Sequence, residues 1–113
     1  MITLGSRSFA GPFLAPLWSP PRAPGLYAVM IPGWRLLMFH PVHLGHAADL
    51  ADAGMLKRHP AYADWLGLAG TEWNLYVATC EMYNSTESER QAAQRELLGV
   101  VSTTIRGSMH AQL

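Results

Sequence analysis

The sequence predicts a small α+β domain, a three-stranded, mostly antiparallel sheet flanked by helices. Two adjacent apolar runs, residues 25–31 and the run opening at 34–39, are separated by Pro32-Gly33 and read as a hairpin. A third such run, residues 74–81, stands alone after a helical stretch. Thr86 and Glu89 then carry the spacing of a capping box ahead of a long helical pattern.

Taken in order, residues 1–24 form a proline-rich arm. Pro12, Pro16, Pro20 and Pro21 forbid a regular helix, while Phe9, Phe13, Leu14, Leu17 and Trp18 need cover, so the arm is expected to be extended and packed across the domain. Residues 25–104 make up the domain proper. Its first strand is 25–31. The second begins at Trp34 and meets Pro41 before Val42-His43-Leu44, where an edge position or a bulge is expected because proline donates no ladder hydrogen bond. Residues 47–58 read as a helix, with Asp49 and Asp52 early, Lys57 and Arg58 late, and Gly54 weakening its centre. Pro60 suits the first turn of a further helix, on which Ala61, Trp65 and Leu68 share a face and which ends near Gly70. Residues 74–81 form the third strand, with Leu75, Val77 and Thr79 on one face. The last helix runs to about Val101, with Ala93, Leu97 and Val100 as its apolar stripe and Glu96 at the stripe's edge. Residues 105–113, with His110, read as a frayed polar tail.

Composition narrows the functional classes. Of the 113 residues 50% are apolar and 14% charged, as expected of a packed globule rather than a disordered chain. Eight basic residues balance eight acidic ones. That neutrality argues against a strong general DNA-binding protein, whose affinity rests on phosphate neutralisation, and it leaves little charge to oppose homodimerisation. The single Cys80 forms no intrachain disulfide and supports no cysteine-rich zinc site; in its apolar run it reads as a buried structural thiol. No stretch has the length of a signal helix or membrane span, so a cytoplasmic protein is expected.

Gly25-Leu26-Tyr27, preceded by Pro24, and then His43-Leu44-Gly45 are the most informative tripeptides. With Ala48-Asp49-Leu50, His59-Pro60, Asn74-Leu75-Tyr76-Val77-Ala78, Glu89-Arg90 and Glu96, they follow in the order found in the GIY-YIG nuclease superfamily, and residues 20–101 resemble that family. The resemblance implies phosphodiester hydrolysis by an endonuclease with one divalent metal, Mg or Mn. Tyr27 would assist deprotonation of water, a helix arginine would stabilise the transferring phosphate, and Glu96 would be the metal-binding residue. Such a transition state gathers negative charge that needs a cation and a guanidinium fork.

The departures from the pattern are substantial. His43 stands where the family has its second tyrosine, and Ala53 stands at the arginine position. Losing one preorganised contact costs about 2.7–4 kcal/mol, a hundred- to thousandfold in rate. The expectation is therefore a degenerate active site retained for protein binding, as an inhibitor or accessory factor, or for binding a nucleic-acid structure. An active Mg- or Mn-dependent endonuclease using Tyr27, His43 and Glu96 is the alternative, and a homodimeric module is a third reading. Gly25, Gly45, His46, Arg58 and Trp65 are the candidate binding residues, with Lys57, Arg58 or Arg35 available to replace the absent arginine. His43 and His46, joined by His40 or His59, raise a zinc reading that surface or core histidines outweigh. Trp34, Trp65 and Trp73 could stack bases, although tryptophans more often serve as core or interface anchors.

Overall fold

A computed structural model of the chain describes residues 2–33, 39–53 and 56–109. The element order is β1 (Ile2–Leu4), β2 (Arg7–Leu14), β3 (Gly25–Pro32), β4 (Phe39–Ala47), α1 (Leu50–Ala53), α2 (Tyr62–Ala69), β5 (Tyr76–Glu81) and α3 (Glu87–Met109). Short 3-10 turns occupy Ala15–Leu17, Leu56–Arg58 and Glu72–Asn74. The α+β class is as expected, but the sheet has five strands, not three. They lie in the order β1-β2-β5-β3-β4, and every neighbouring pair is antiparallel.

The two additional strands come from the proline-rich segment. Ala10 pairs with Thr79 and Phe13 with Val77, so β2 is a full neighbour of β5. The register shifts between those pairs, at Gly11 and Pro12. Gly11 takes φ +108°, a backbone few other residues adopt, and the shift accommodates a proline that could not donate to a regular ladder.

β3 is an interior strand between β5 and β4, buried from Gly25 through Met30, and its alternation divides the core. Leu26, Ala28 and Met30 face one way and pack with Phe9, Leu44 and Ala78 against Ala93 and Leu97 of α3. Tyr27 and Val29 face the other way, with Val42 and Val77, against Leu50, Leu56, Trp65 and Leu75. Pro41 satisfies both expectations for it, since β4 is an edge strand and carries a bulge. Val29 pairs with His43 while Met30 pairs with Pro41, leaving Val42 as the extra residue. From α3, Gln94 Nε2 donates to the Leu44 carbonyl oxygen at 2.8 Å, covering part of that edge.

The helices differ from expectation in their bounds. The 47–58 stretch is not one helix: β4 continues to Ala47, and only Leu50–Ala53 and the turn Leu56–Arg58 are helical. Leu50 is anchored early, its N–H donating to the Ala23 carbonyl at 2.7 Å, which ties the start of α1 to the chain entering β3. α2 ends at Gly70, whose φ of +85° and N–H bond to the Leu66 carbonyl at 2.8 Å form a C-cap. The capping box is present: Thr86 N–H donates to Glu89 Oε1 at 2.8 Å and Glu89 N–H to Thr86 Oγ1 at 3.1 Å. α3 continues to Met109, through residues expected to fray. The strand start at Trp34, Arg35, Gly54, the Val100 side chain and His110 lie outside the described residues. No described helix is long and apolar enough to cross a membrane.

Candidate functional site

Two arrangements concentrate chemistry-bearing side chains on the sheet face that carries Tyr27. The first grows from the β3–β4 ladder. Tyr27 pairs directly with Gly45, and a Cβ at position 45 would stand 2.5 Å from Tyr27 Cζ and 2.6 Å from its Oη. The phenol therefore lies over Gly45, in space that any side chain there would fill. The bulge at Val42 interrupts the alternation of β4, so Val42 and His43 both serve this face. The His43 ring stands 5.8 Å from that of Tyr27, 4.9 Å from Trp65 and 5.0 Å from His59, centroid to centroid. His59 and Trp65 close the cluster at 4.6 Å.

These surroundings set the protonation chemistry. Burial, with the neighbouring His59 adding to it, lowers the His43 pKa from 6.5 to about 4, so the imidazole is neutral near pH 7 and a weak base. Burial likewise raises the Tyr27 pKa, which disfavours phenolate. The Ala61 N–H donates to His59 Nδ1 at 3.0 Å, which places the proton of the neutral ring on Nε2. The cluster thus sets a neutral His43 imidazole and an un-ionised Tyr27 phenol against the rings of His59 and Trp65.

Glu96 is not part of it. It projects from α3, which covers the opposite face of the sheet, and its Oε1 accepts from Ser6 Oγ in the β1–β2 turn at 3.4 Å. The described residues contain no group of three histidine, cysteine or carboxylate side chains able to share a metal ion. Judged by their donor sets, the residues at Tyr27 do not fit a one-metal hydrolytic centre. The histidines also do not converge as a zinc set: His40 and His46 each have a buried Nδ1 without a partner, and His59 uses its Nδ1 locally. Gly25 is enclosed by backbone, since a Cβ there would come 2.3 Å from the Cys80 carbonyl oxygen. Trp65 is 3% exposed and acts as a core residue of this face.

The second arrangement is a half-open cleft of about 550 Å³ between the turns Ala15–Leu17, Leu56–Arg58 and Glu72–Asn74. Trp18, Tyr62 and Trp73 supply aromatic walls, Pro16, Leu56 and Leu75 apolar ones, and Lys57, Arg58 and Glu72 the charge. Of the candidates taken from the sequence, Lys57, Arg58 and Trp73 line it. The remaining lining residues come from three segments distant in sequence, and only the Lys57-Arg58 pair and the several tryptophans signalled them beforehand. Phe13, Leu17 and Trp73 stand exposed around this end of the molecule.

The chain matches no protein-family model, no curated protein and no solved structure.

Proposed function

We propose that this chain is a binding protein on a GIY-YIG-like scaffold with a degenerate nuclease site, and that its partner is a protein that it serves as an inhibitor or accessory factor. The observation that carries this reading is the separation of Tyr27 from Glu96 by the sheet, with a cluster of aromatic rings around Tyr27. Phosphodiester hydrolysis needs a cation and a base at the same phosphate. Here the base is weakened by burial, and the proposed metal-binding carboxylate belongs to another layer.

A protein partner is supported by the exposed apolar side chains Phe13, Leu17 and Trp73, the kind of surface that anchors protein interfaces. Zero net charge supports it further against a nucleic-acid partner. The test has two arms. Supercoiled plasmid incubated at high protein concentration with Mg²⁺ or Mn²⁺ is expected to remain uncut, and nicking abolished by Glu96→Ala would overturn the reading. Capture from cell extract is expected to retain one specific protein that survives Glu96→Ala and is lost with Leu17→Ser or Trp73→Ala. Capture indifferent to all three substitutions would also overturn it.

A further inference from the structure

We propose that the cleft between the Ala15–Leu17, Leu56–Arg58 and Glu72–Asn74 turns is a binding site for a small flat aromatic anion, of the size of a nucleoside monophosphate. Its volume of about 550 Å³ falls within the range of small-molecule sites, about 300–1,000 Å³. Three aromatic side chains, Trp18, Tyr62 and Trp73, line one small space, and Trp73 is held 52% exposed at that cleft. Indole and phenol rings offer stacking surface that a flat ring uses fully and an aliphatic chain does not.

Charge then selects among flat ligands. Lys57 Nζ and Glu72 Oε2 stand 3.6 Å apart and neutralise one another. Arg58 has no ion-pair partner among the described residues, so it leaves the cleft with one uncompensated positive charge. A guanidinium presents paired N–H donors that match a phosphate or carboxylate. One free cation suits one anionic group. It does not suit a strand of several phosphates, for which a chain of zero net charge has little to offer. A neutral aromatic ligand would leave Arg58 unused. The site shares no lining residue with the Tyr27–His43 cluster, but it shares Trp73 with the surface proposed for the protein partner, so Arg58→Ala is the variant that tests the anion site separately.

Calorimetric titration of the full chain at low salt tests it, with AMP and indole-3-acetate as probes. Adenosine, inorganic phosphate and a twelve-nucleotide oligothymidylate are run in parallel. Saturable binding of AMP or of indole-3-acetate is expected, and which one binds decides between phosphate and carboxylate. Adenosine and inorganic phosphate are each expected to bind at least about tenfold more weakly than AMP, because each lacks one of the two contacts. Arg58→Ala should weaken the anion about tenfold and leave adenosine unchanged, whereas Trp73→Ala should weaken AMP and adenosine alike. Both side chains are exposed, and circular dichroism checks that each variant keeps its fold. The proposal is overturned if neither anion saturates at millimolar concentration, if Arg58→Ala leaves the bound anion's affinity unchanged, or if the oligonucleotide alone binds.

Discussion

Replacing Gly45 by alanine tests the arrangement that defines the Tyr27 face. The added Cβ would lie 2.5 Å from Tyr27 Cζ, 2.6 Å from Oη and 2.7 Å from Cε1, all well inside van der Waals contact. Tyr27 is 6% exposed and its ring stands 5.8 Å from that of His43, so the phenol has little room to retreat. Overpacking of this kind costs about 1–3 kcal/mol. Alanine also narrows the unfolded ensemble, which offsets about 0.4–1 kcal/mol. The net loss expected is about 1–2 kcal/mol, or a fall in Tm of about 4 °C or more for a domain of this size. Urea unfolding followed by circular dichroism measures it. In a Tyr27→Leu background the obstacle is gone, and the same substitution should cost at least about 1 kcal/mol less. A Gly45→Ala protein as stable as the parent would refute the placement of the phenol over Gly45. So would effects that add to within about 0.5 kcal/mol in the double variant.

Other consequences follow from the same packing. Because His43 titrates near 4 when folded and near 6.5 when unfolded, the unfolded chain binds the proton first as pH falls. The stability this residue contributes, fully present above 6.5, is therefore lost progressively toward pH 4. The drop in urea midpoint between pH 7 and pH 5.5 should shrink in His43→Phe. Phe9, fully buried on β2, should cost about 3–5 kcal/mol when truncated to alanine, which would establish by urea unfolding that the N-terminal hairpin belongs to the cooperative core. Thr86→Ala removes the side-chain acceptor of the α3 capping box and should cost about 1 kcal/mol by thermal unfolding. That loss should vanish if the capping box contributes nothing in solution.

What could be read from the sequence followed the range of the interaction involved. The β3 strand, the Pro41 bulge, the Gly70 stop and the Thr86–Glu89 cap are local events, each fixed by a few neighbouring residues. β1 and β2 were not legible as strands. The prolines argued against a helix and for an extended arm, and the pairing that makes β2 a strand, Ala10 with Thr79, joins segments far apart in sequence. The stretch 47–58 read as a continuous helix from its alanines and charge order. Pairing of Gly25 with Ala47 instead extends β4 into it. The site divided in the same way. Tyr27 and His43 could be expected together because they sit on neighbouring strands, whereas which sheet face α3 would cover is a tertiary choice that no local pattern records.

That choice decides the chemistry. The alternation of β3 sends Leu26, Ala28 and Met30 toward α3, and Tyr27 and Val29 toward α1 and α2. Layers stacked on a sheet lie about 10 Å from it, so a change of rotamer does not carry a carboxylate from α3 to the phenol of Tyr27. A metal at Tyr27 would have to draw its carboxylate from the segment that packs on the same face, where Leu50 and Leu56 are buried. In that segment Asp49 Oδ1 already accepts the Ala51 N–H at 3.0 Å, which commits it to opening α1. Lys57 and Arg58, the cations that follow the Ala53 position most closely in sequence, line the aromatic cleft instead. The pieces associated with hydrolysis are thus present in the sequence but distributed over two sheet faces and a separate cleft. On the proposed reading, metal-dependent cleavage at Tyr27 would require a new carboxylate on the α1–α2 side, and a substitution on α3 could not supply it.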